Sequence, residues 1–397
     1  MKTTTPGILE WLIIGGGVHG THLSHVLAHG AEVDRDRVRV IDPHREPLAR
    51  WRQCTANTGM KYLRSPVVHH IDLDPMSLLN FARNEAKGGL GGFRPPYDRP
   101  ALALFEAHCD HVCERWGLHG LRHQAAARDL RSTGNGFVVD TDQGELKARR
   151  VVLALGNPAG PKWPLWAAGL RSQGARVAHL FDDHFHIDAC RDWRKVAVIG
   201  LGISGAQVAA QLVQEFDADV SVVSRHDIKI EQFDSDPCWL GPRCQVGFQR
   251  LSNYRERREA IDGARHRGSM PRDVARDFER YLDWGQIAWH RGAVEAAGVG
   301  DDQRLRLVLN TEEVLDVDGV ILATGFSKPR VDETWLSGAT RRLGLRCSSC
   351  GMPIVDSSLQ WKEGLFVGGG MAELELGPAS RNIAGARMTA RRLAGAF

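Results

Sequence analysis

Two glycine-rich segments, far apart in the chain, each follow a short run of apolar residues. Ile8–Ile14 leads into Gly-Gly-Gly-Val-His-Gly at residues 15–20, and Lys195–Ile199 leads into Gly-Leu-Gly-Ile-Ser-Gly at residues 200–205. Amphipathic patterns predict a helix after each loop, at His22–Ala28 and Ala206–Phe216. A strand, a G-x-G-x-x-G loop and a helix in this order are typical of a dinucleotide-binding unit. The sequence therefore predicts two such units.

The two units also end alike. Val151–Gly156 and Val320–Gly325 are apolar runs that close in glycine, and each follows short alternating segments separated by turn residues. Such segments predict antiparallel hairpins. The predicted meander strands are Phe137–Thr141 and Glu145–Ala148 in the first unit, and Arg304–Leu309 and Glu312–Leu315 in the second. We expect an α/β protein with two Rossmann-like domains, each a parallel sheet with an antiparallel meander.

The simplest assembly nests the second unit inside the first. We expect residues 1–163 plus 326–397 to form the outer domain and residues 164–325 to form the inserted one. A polar stretch at 233–284 predicts a helical insert, with helices near Arg255–His266 and Arg272–Leu282. A last helix is expected from Ala379 to Leu393, with Pro378 in its first turn.

Composition narrows the class of protein. The 397 residues are 43% apolar, which suits two or three domains with buried cores. The 51 Lys and Arg residues nearly balance the 48 Asp and Glu residues, which argues against a nucleic-acid partner. No apolar stretch reaches the roughly 18 residues of a membrane span, and no signal peptide is recognisable. We expect a cytoplasmic protein with no membrane partner, whose eight scattered cysteines are reduced thiols.

The first glycine loop has the residues that a dinucleotide site needs. Gly15 allows the tight turn, Gly17 lets the backbone approach a pyrophosphate, and Gly20 lets the helix pack closely against the strand. The next predicted strand, Val38–Ile41, ends in Asp42, whose carboxylate is placed to accept hydrogen bonds from a ribose.

The second loop differs in the charge that follows it. Its glycines are Gly200, Gly202 and Gly205, and its second strand ends in Ser224-Arg225 rather than in an acid. A hydroxyl and a guanidinium suit a 2′-phosphate, so we expect NADPH rather than NADH. Arg265 and Arg267 are weaker candidates for further phosphate contacts. The alternative is that these arginines simply face solvent.

The two nested dinucleotide folds resemble the flavoprotein monooxygenases that use FAD and NADPH. That group includes the flavin-containing monooxygenases, the Baeyer–Villiger enzymes and the ornithine and lysine N-hydroxylases; the pyridine-nucleotide disulfide reductases are broader relatives. The features that carry the resemblance are the G-x-G-x-S-G form with Ser204 in the NADPH loop, the Asn-Thr segment at Ala56–Met60, the stretch Met60–Phe81 and the tail Ala372–Arg387. The resemblance implies that the N-terminal unit holds FAD.

Three departures leave the subfamily and the substrate open. Val18-His19 stands where the N-hydroxylases typically have a proline, and Gly370-Met371 replaces the usual Gly-Asp of the last flavin-binding strand. Only a histidine-rich segment, His179–His186, is similar to the Baeyer–Villiger fingerprint.

The resemblance implies a monooxygenase that takes hydride from NADPH and reacts with O2 through a flavin C4a-hydroperoxide. Its expected substrate is a small molecule oxygenated at nitrogen or sulfur, with a ketone as the other option. By the same resemblance Asn57 and Thr58 are the catalytic candidates, and a helix N-terminus at Gly377-Pro378 is expected to stabilise negative charge on the flavin. The alternatives are a turn-forming Asn57 and a simple helix cap.

Two rival functions come from other classes. Cys347 and Cys350 form a C-x-x-C pair that would suit an NADPH-dependent disulfide or thiol reductase. With Cys109 and Cys113 they would supply four metal ligands, although we expect a structural role and no metal. The third hypothesis is a flavin-bound redox sensor or electron carrier that works with a protein partner. The oligomeric state stays open, a homo-oligomer included.

Overall fold

A computed structural model describes residues 7–31, 33–86, 89–156, 159–300, 304–328, 330–331 and 334–397. Parts of the predicted connections between the two units, Asn157-Pro158 and Pro329, lie outside these residues, as do Asp301-Asp302 of the second meander.

The strands up to residue 153 are β1 (Leu9–Ile14), β2 (Val38–Asp42), β3 (Phe93–Arg94), β4 (Arg99–Pro100), β5 (Arg122–Gln124), β6 (Ala127–Thr133), β7 (Gly136–Thr141) and β8 (Gly144–Leu153). The later strands are β9 (Val177–His179), β10 (Lys195–Ile199), β11 (Asp219–Ser224), β12 (Lys229–Ile230), β13 (Ser269–Met270), β14 (Ile287–Arg291), β15 (Val294–Val299), β16 (Leu305–Leu309), β17 (Val314–Val317), β18 (Gly319–Leu322), β19 (Gln360–Lys362) and β20 (Leu365–Val367).

The helices are α1 (Val18–His25), α2 (Ala49–Thr58), α3 (Ser77–Asn84), α4 (Leu102–Arg115), α5 (Leu165–Ser172), α6 (Ile203–Phe216), α7 (Pro242–Gln249), α8 (Tyr254–Ala264), α9 (Arg272–Asp283), α10 (Ser337–Arg342), α11 (Glu373–Leu376) and α12 (Ile383–Leu393).

The outer sheet has the strand order β19-β20-β8-β1-β2-β5. Strands β20, β8, β1, β2 and β5 run parallel, while β6 and β7 continue from β8 as an antiparallel meander. The closing strand and the last meander strand, which we expected to be separate, form the single strand β8, because no Gly or Pro interrupts the chain from Glu145 to Leu153.

The inserted sheet has the order β14-β11-β10-β18-β9 and is parallel throughout. Its meander, β15-β16-β17, is antiparallel and forms a separate sheet. The prediction of two Rossmann-like units, each with a meander, is confirmed. The exact domain boundaries, at residues 163/164 and 325/326, stay a prediction.

Helices α1 and α6 begin inside the glycine loops, at Val18 and Ile203, and not after them as predicted. The third glycine of each loop is therefore a helical residue, as close helix–strand packing requires. The expected start of the last helix at Ala379 is wrong. Pro378–Arg381 form a 3₁₀ turn, and α12 begins only after Asn382, whose extended backbone interrupts the helix.

Four apolar cores hold the fold together. The largest lies on both faces of the outer sheet, two flank the inserted sheet, and a small one joins the insert to the tail through Phe248, Ile261, Met352 and Leu374. Within the described ranges, no helix is both long and apolar enough to cross a membrane.

Cys238 and Cys244 form a disulfide in the insert, so the expectation of reduced thiols is wrong for this pair. The chain turns back between them at Gly241-Pro242, which brings their Cα atoms to 5.3 Å, within the range that a disulfide spans. The other six cysteines form no disulfide within the described residues.

Candidate functional site

The first glycine loop has the geometry of a dinucleotide site. Gly15 has a φ of 109°, and a Cβ on Gly20 would lie 1.7 Å from the Gly15 carbonyl oxygen. A Cβ on Gly17, in contrast, would meet no atom within 4 Å. The backbone at Gly17 is therefore open to a close approach at the N-terminal end of α1, which fits a pyrophosphate group.

Asp42 ends β2 beside this loop, as predicted. One carboxylate oxygen accepts the Gly16 N–H at 2.6 Å, and the other accepts the His44 N–H at 2.9 Å. Arg122 lies over the loop and donates to the Gly16 carbonyl at 3.3 Å. Each carboxylate oxygen has acceptor capacity beyond one hydrogen bond, so Asp42 retains the ability to accept a ribose hydroxyl.

A cleft of about 940 Å³ lies along the second glycine loop. Residues 200–204 and 223–226 form one wall, and the insert residues 265–269 lie opposite. A Cβ on Gly202 would lie 3.3 Å from the Cα of Gly268, so the two glycines let the walls approach closely. The loop residues Gly200, Gly202 and Ser204 all line the cleft, whereas Gly205 packs against the Gly200 carbonyl.

Ser224 and Arg225 have different surroundings. The Ser224 hydroxyl is buried; it donates to the His226 carbonyl and accepts the Trp289 indole N–H, both at 2.9 Å. The predicted contact of this hydroxyl with a phosphate is therefore not supported. Arg225 lines the cleft, is exposed, and has no ion-pair partner among the residues described. Its phosphate-binding role stays a prediction.

Asn57 and Thr58 lie at the C-terminal end of α2, and neither lines the cleft. The buried Asn57 amide donates to the carbonyls of Leu180 and Phe185 at 3.1 and 2.8 Å and accepts the Ile187 N–H at 3.0 Å. Both amide hydrogens are used in joining the outer domain to residues 180–187. The geometry therefore gives Asn57 a structural task, and its predicted catalytic role is left without support.

Thr58 is also turned away from the cleft. Its hydroxyl donates to the Thr55 carbonyl at 3.0 Å, one helical turn back, and the side chain is buried. Like the catalytic role of Asn57, that of Thr58 stays an untested prediction.

The two chain crossings between the sheets run side by side. Pro161 and Phe326 form an antiparallel bridge, and the Lys162 N–H donates to the Gly325 carbonyl at 2.9 Å. His179 Nδ1 accepts the Phe181 N–H, and Nε2 lies 3.2 Å from the Thr324 hydroxyl. Burial lowers the pKa of His179 to about 4, so the imidazole at this joint is neutral.

Gly377 and Pro378 do not begin a long helix. Gly377 has a φ of 79°, and a Cβ there would lie 3.1 Å from the Trp239 ring. The Pro378 carbonyl accepts the Arg265 guanidinium at 2.8 Å. The predicted helix N-terminus at Gly377-Pro378 is wrong, because α12 starts five residues beyond Pro378, at Ile383, and a helix dipole acts only over the adjacent turn.

At the other end of the cleft lies an arginine cluster, of which the sequence analysis named only Arg265. Glu373 is fully buried and accepts two hydrogen bonds from Arg381, each at 2.7 Å, and another from Arg258; Arg265 lies 3.8 Å away. Burial alone would raise the pKa of Glu373, but the three guanidinium groups lower it below its usual value. Arg258 and Glu373 are more than a hundred positions apart, so no local pattern connects them.

The C-x-x-C pair is not oxidised. Cys350 lines the cleft and lies 3.1 Å from the Ser348 hydroxyl, while Cys347 pairs with Pro353 in an isolated bridge. Cys109 and Cys113 are buried in α4, and burial raises the pKa of Cys113 to about 12. Across the described ranges no three His, Cys, Asp or Glu side chains are grouped to hold a metal ion, so the four-cysteine alternative is not supported.

The paired sheets, the glycine loops and the cleft define a fold with two dinucleotide-binding domains. Residues 12–158 match a family model described as FAD-NAD(P)-binding, and residues 106–269 match one described as pyridine nucleotide-disulphide oxidoreductase. Among curated proteins, no sequence matches the chain.

Solved structures of an ornithine hydroxylase and of lysine and cadaverine monooxygenases are similar over nearly the whole chain. The ornithine hydroxylase of Pseudomonas aeruginosa has a TM-score of 0.75 at 16% identity, and the L-lysine 6-monooxygenase of Pseudomonas syringae 0.75 at 19%; each comparison covers 98% of both chains. The FAD-bound cadaverine monooxygenase of Erwinia amylovora has a TM-score of 0.74 at 15% identity, covering 98% of this chain and 94% of that one. The predicted fold family is thereby confirmed.

Proposed function

We propose that the chain is an FAD- and NADPH-dependent monooxygenase that uses O2 to oxygenate a nitrogen or sulfur atom of a small molecule. The observation that carries this proposal is the cleft, which extends from the second glycine loop to Cys350 and Arg381 of the outer domain. A nucleotide held at residues 200–204 would point along this cleft toward the domain of the first loop. The similarity to three N-hydroxylating enzymes supports the same reaction class.

The chain's own residues would do three things. The first loop, with Gly17 and Asp42, would bind and orient FAD; the second loop, with Arg225, would bind NADPH. Phe181 and Phe326, which stack at 4.8 Å, would exclude water at the joint between the domains. When bound, the two cofactors supply the hydride transfer and the oxygen chemistry, which need few protein acids or bases.

The test is whether purified protein that carries FAD transfers oxygen. With isotopically labelled O2 and a panel of amines and thioethers, we expect NADPH consumption to be accompanied by one labelled oxygen atom in the product. Release of all the consumed O2 as hydrogen peroxide with every substrate class would contradict the proposal.

A second candidate function is that of a thiol or disulfide reductase. One observation favours it: Cys350 lines the cleft, and Cys347 lies three residues before it in the chain. The family model matched by residues 106–269 is in accord with it. Replacing Cys347 and Cys350 together by serine would abolish turnover in a reductase, whereas the monooxygenase would keep its oxygen transfer.

A further inference from the structure

The cleft is strongly cationic. Nine Lys and Arg side chains line it, against the two carboxylates Asp234 and Asp262. Five of them form two groups on different walls. Arg225 and Lys229 lie near the end of β11, where the adenosine end of a nicotinamide nucleotide binds in such units. Arg258, Arg265 and Arg381 lie at the other end, beside the tail of the outer domain.

The second group has more positive charge than its own contacts neutralise. Three guanidinium groups share the buried Glu373, and their side chains are only 15 to 25% exposed. Two further carboxylates lie beside the group: Asp234 at 3.6 Å from Arg265, and Asp262 at 3.6 Å from Arg258. Asp262 is shared with two more cations, Arg267 at 2.7 Å and Lys328 at 3.7 Å, so the cations still outnumber the carboxylates. Burial and the charge of Arg381 lower the pKa of the Arg265 guanidinium, as expected where cations are brought together out of water.

Not all guanidinium N–H donors of these three arginines have a hydrogen-bond acceptor. Within the described ranges, the buried Nε of Arg258 has no hydrogen-bond partner. A buried donor without a partner is costly, and this one belongs to a side chain that lines the cleft. Since Arg265 donates to the Pro378 carbonyl, its side chain reaches toward the tail and not toward the second glycine loop.

The neighbouring ion pair of Arg257 and Glu375 provides a comparison, because this arginine has a purely structural role. Arg257 also joins α8 to the tail, but one carboxylate, that of Glu375 at 2.6 Å, balances it, and the carbonyls of Leu251 and Leu374 accept further hydrogen bonds at 2.7 and 2.9 Å. Arg257 does not line the cleft. Clamping the insert to the tail therefore does not require three arginines around one acid.

We propose that Arg258, Arg265 and Arg381 bind a carboxylate or phosphoryl group of the substrate, so that the cleft takes an anionic small molecule. This rests on the proposed function in taking the cleft as the reaction site. Planar guanidinium groups bind such oxyanions with paired hydrogen bonds. A substrate with only cationic groups, such as a diamine, would be repelled by the same surface.

The experiment measures binding to the FAD-loaded protein saturated with NADP⁺, with citrate, inorganic phosphate and 1,5-diaminopentane as probes at matched ionic strength. We expect citrate or phosphate to raise the thermal midpoint and the diamine to leave it unchanged; the two anions tell a carboxylate site from a phosphoryl site. Arg265→Gln should weaken the anion's apparent affinity about 10-fold or more, as for a lost charge-assisted hydrogen bond. The control Arg257→Gln should retain the wild-type affinity.

Two further variants separate the ligands. Arg225→Gln should weaken NADP⁺ binding and leave citrate binding unchanged. Arg258→Lys keeps the positive charge but removes the paired N–H donors of the guanidinium group, so we expect a several-fold loss of anion affinity. This variant tests the proposal even if Arg265→Gln does not fold.

Three results would overturn the inference: no anion effect on the wild-type protein, unchanged anion affinity in Arg258→Lys, or loss of FAD from Arg265→Gln, which would assign the cluster to the flavin. Because no turnover is measured, a failure of oxygen transfer would count against the proposed function alone.

Discussion

Arg225 follows β11 at the position where an acid would select the free ribose of NADH. Because it faces the cleft without an ion-pair partner among the described residues, its charge is available to a phosphate. We expect Arg225→Gln to raise the KM for NADPH by about 10- to 100-fold, the equivalent of roughly 1.5–3 kcal/mol for a hydrogen bond to a charged group. The KM for NADH should change little.

The control is Arg291→Gln. Arg291 ends the adjacent strand β14 and is also exposed, but it pairs with Asp227 at 3.0 Å and does not line the cleft. Its removal should leave both KM values unchanged. Equal losses for NADPH and NADH in Arg225→Gln would show that the guanidinium does not read the 2′-phosphate.

Asn57, which the sequence analysis proposed as a catalytic residue, makes buried hydrogen bonds that join two parts of the structure. Asn57→Ala would leave the Leu180 carbonyl and the Ile187 N–H without the Asn57 amide, whereas the Phe185 carbonyl would keep its hydrogen bond from Gln53. We expect the free energy of unfolding to fall by about 2–4 kcal/mol, because each unsatisfied buried group costs roughly 1–3 kcal/mol. Urea unfolding at equilibrium measures this loss.

Gln53→Ala is the matched variant, because the Gln53 amide contacts the same loop at the carbonyls of Asp183 and Phe185 from a more exposed position. We expect a loss below about 1 kcal/mol there. Unchanged stability of Asn57→Ala, combined with lost turnover, would restore the catalytic role and refute the structural one.

Among the secondary-structure elements, those that depend on contacts between residues close in sequence were predicted correctly. The two glycine loops and the apolar runs before them specify β1, β10 and the helices that follow, because the turn and the close packing are satisfied within about ten residues. The last helix was predicted wrongly because the 3₁₀ turn at Pro378–Arg381 depends on distant partners. Trp239 faces Gly377, and Arg265 binds the Pro378 carbonyl, each more than a hundred positions away.

The contact between the insert and the tail gives the prediction at this scale. Gly377 has a φ of 79° and a ψ of −170°, a conformation that residues with a Cβ rarely adopt, and the added atom would lie 3.1 Å from Trp239. We expect Gly377→Ala to lower the free energy of unfolding by about 1–3 kcal/mol. It should also speed proteolysis of residues 233–268.

Gly395→Ala serves as the control, since a Cβ there meets no atom within 4 Å and its φ lies outside the left-handed region. Its stability should match the parent within about 0.5 kcal/mol. If Gly377→Ala were equally neutral, the close approach of Trp239 to the tail would not be part of the solution structure.

Across the whole molecule, the sequence predicted the two-unit architecture but not the surfaces where the units meet. The cationic cleft combines Arg64 and Arg381 of the outer domain with Arg225 and Arg258 of the inserted one. Side chains so far apart in the chain share no periodic pattern, so their proximity follows only from the way the two domains pack. The near-neutral overall composition, with a net charge of +3, also conceals this concentration of charge.

Buried histidines make the stability of the outer domain depend on pH. Burial lowers the pKa of His22 and His108 to about 3 and that of His19 and His70 to about 4, whereas an unfolded histidine titrates near 6.5. Between these values the unfolded chain binds more protons than the folded one. The stability these groups contribute is therefore complete above about pH 6.5 and falls as the pH decreases toward 4, by up to about 1.4 kcal/mol per pH unit for each group.

His22 tests this account directly, since its Nδ1 lies 2.8 Å from the Ile71 carbonyl and the positive charge of Arg387 adds to the effect of burial. In His22→Gln an amide N–H replaces the imidazole donor. The unfolding free energy, measured in urea at pH 7, 6 and 5, should then fall less steeply with decreasing pH, because about one fewer proton is taken up on unfolding. His123→Gln, an exposed position on β5, should keep the parent slope. Equal stability of the parent protein at pH 5 and pH 7 would contradict this account. It would mean that the buried histidines take up protons equally in the folded and unfolded states, so that they are not held neutral by burial.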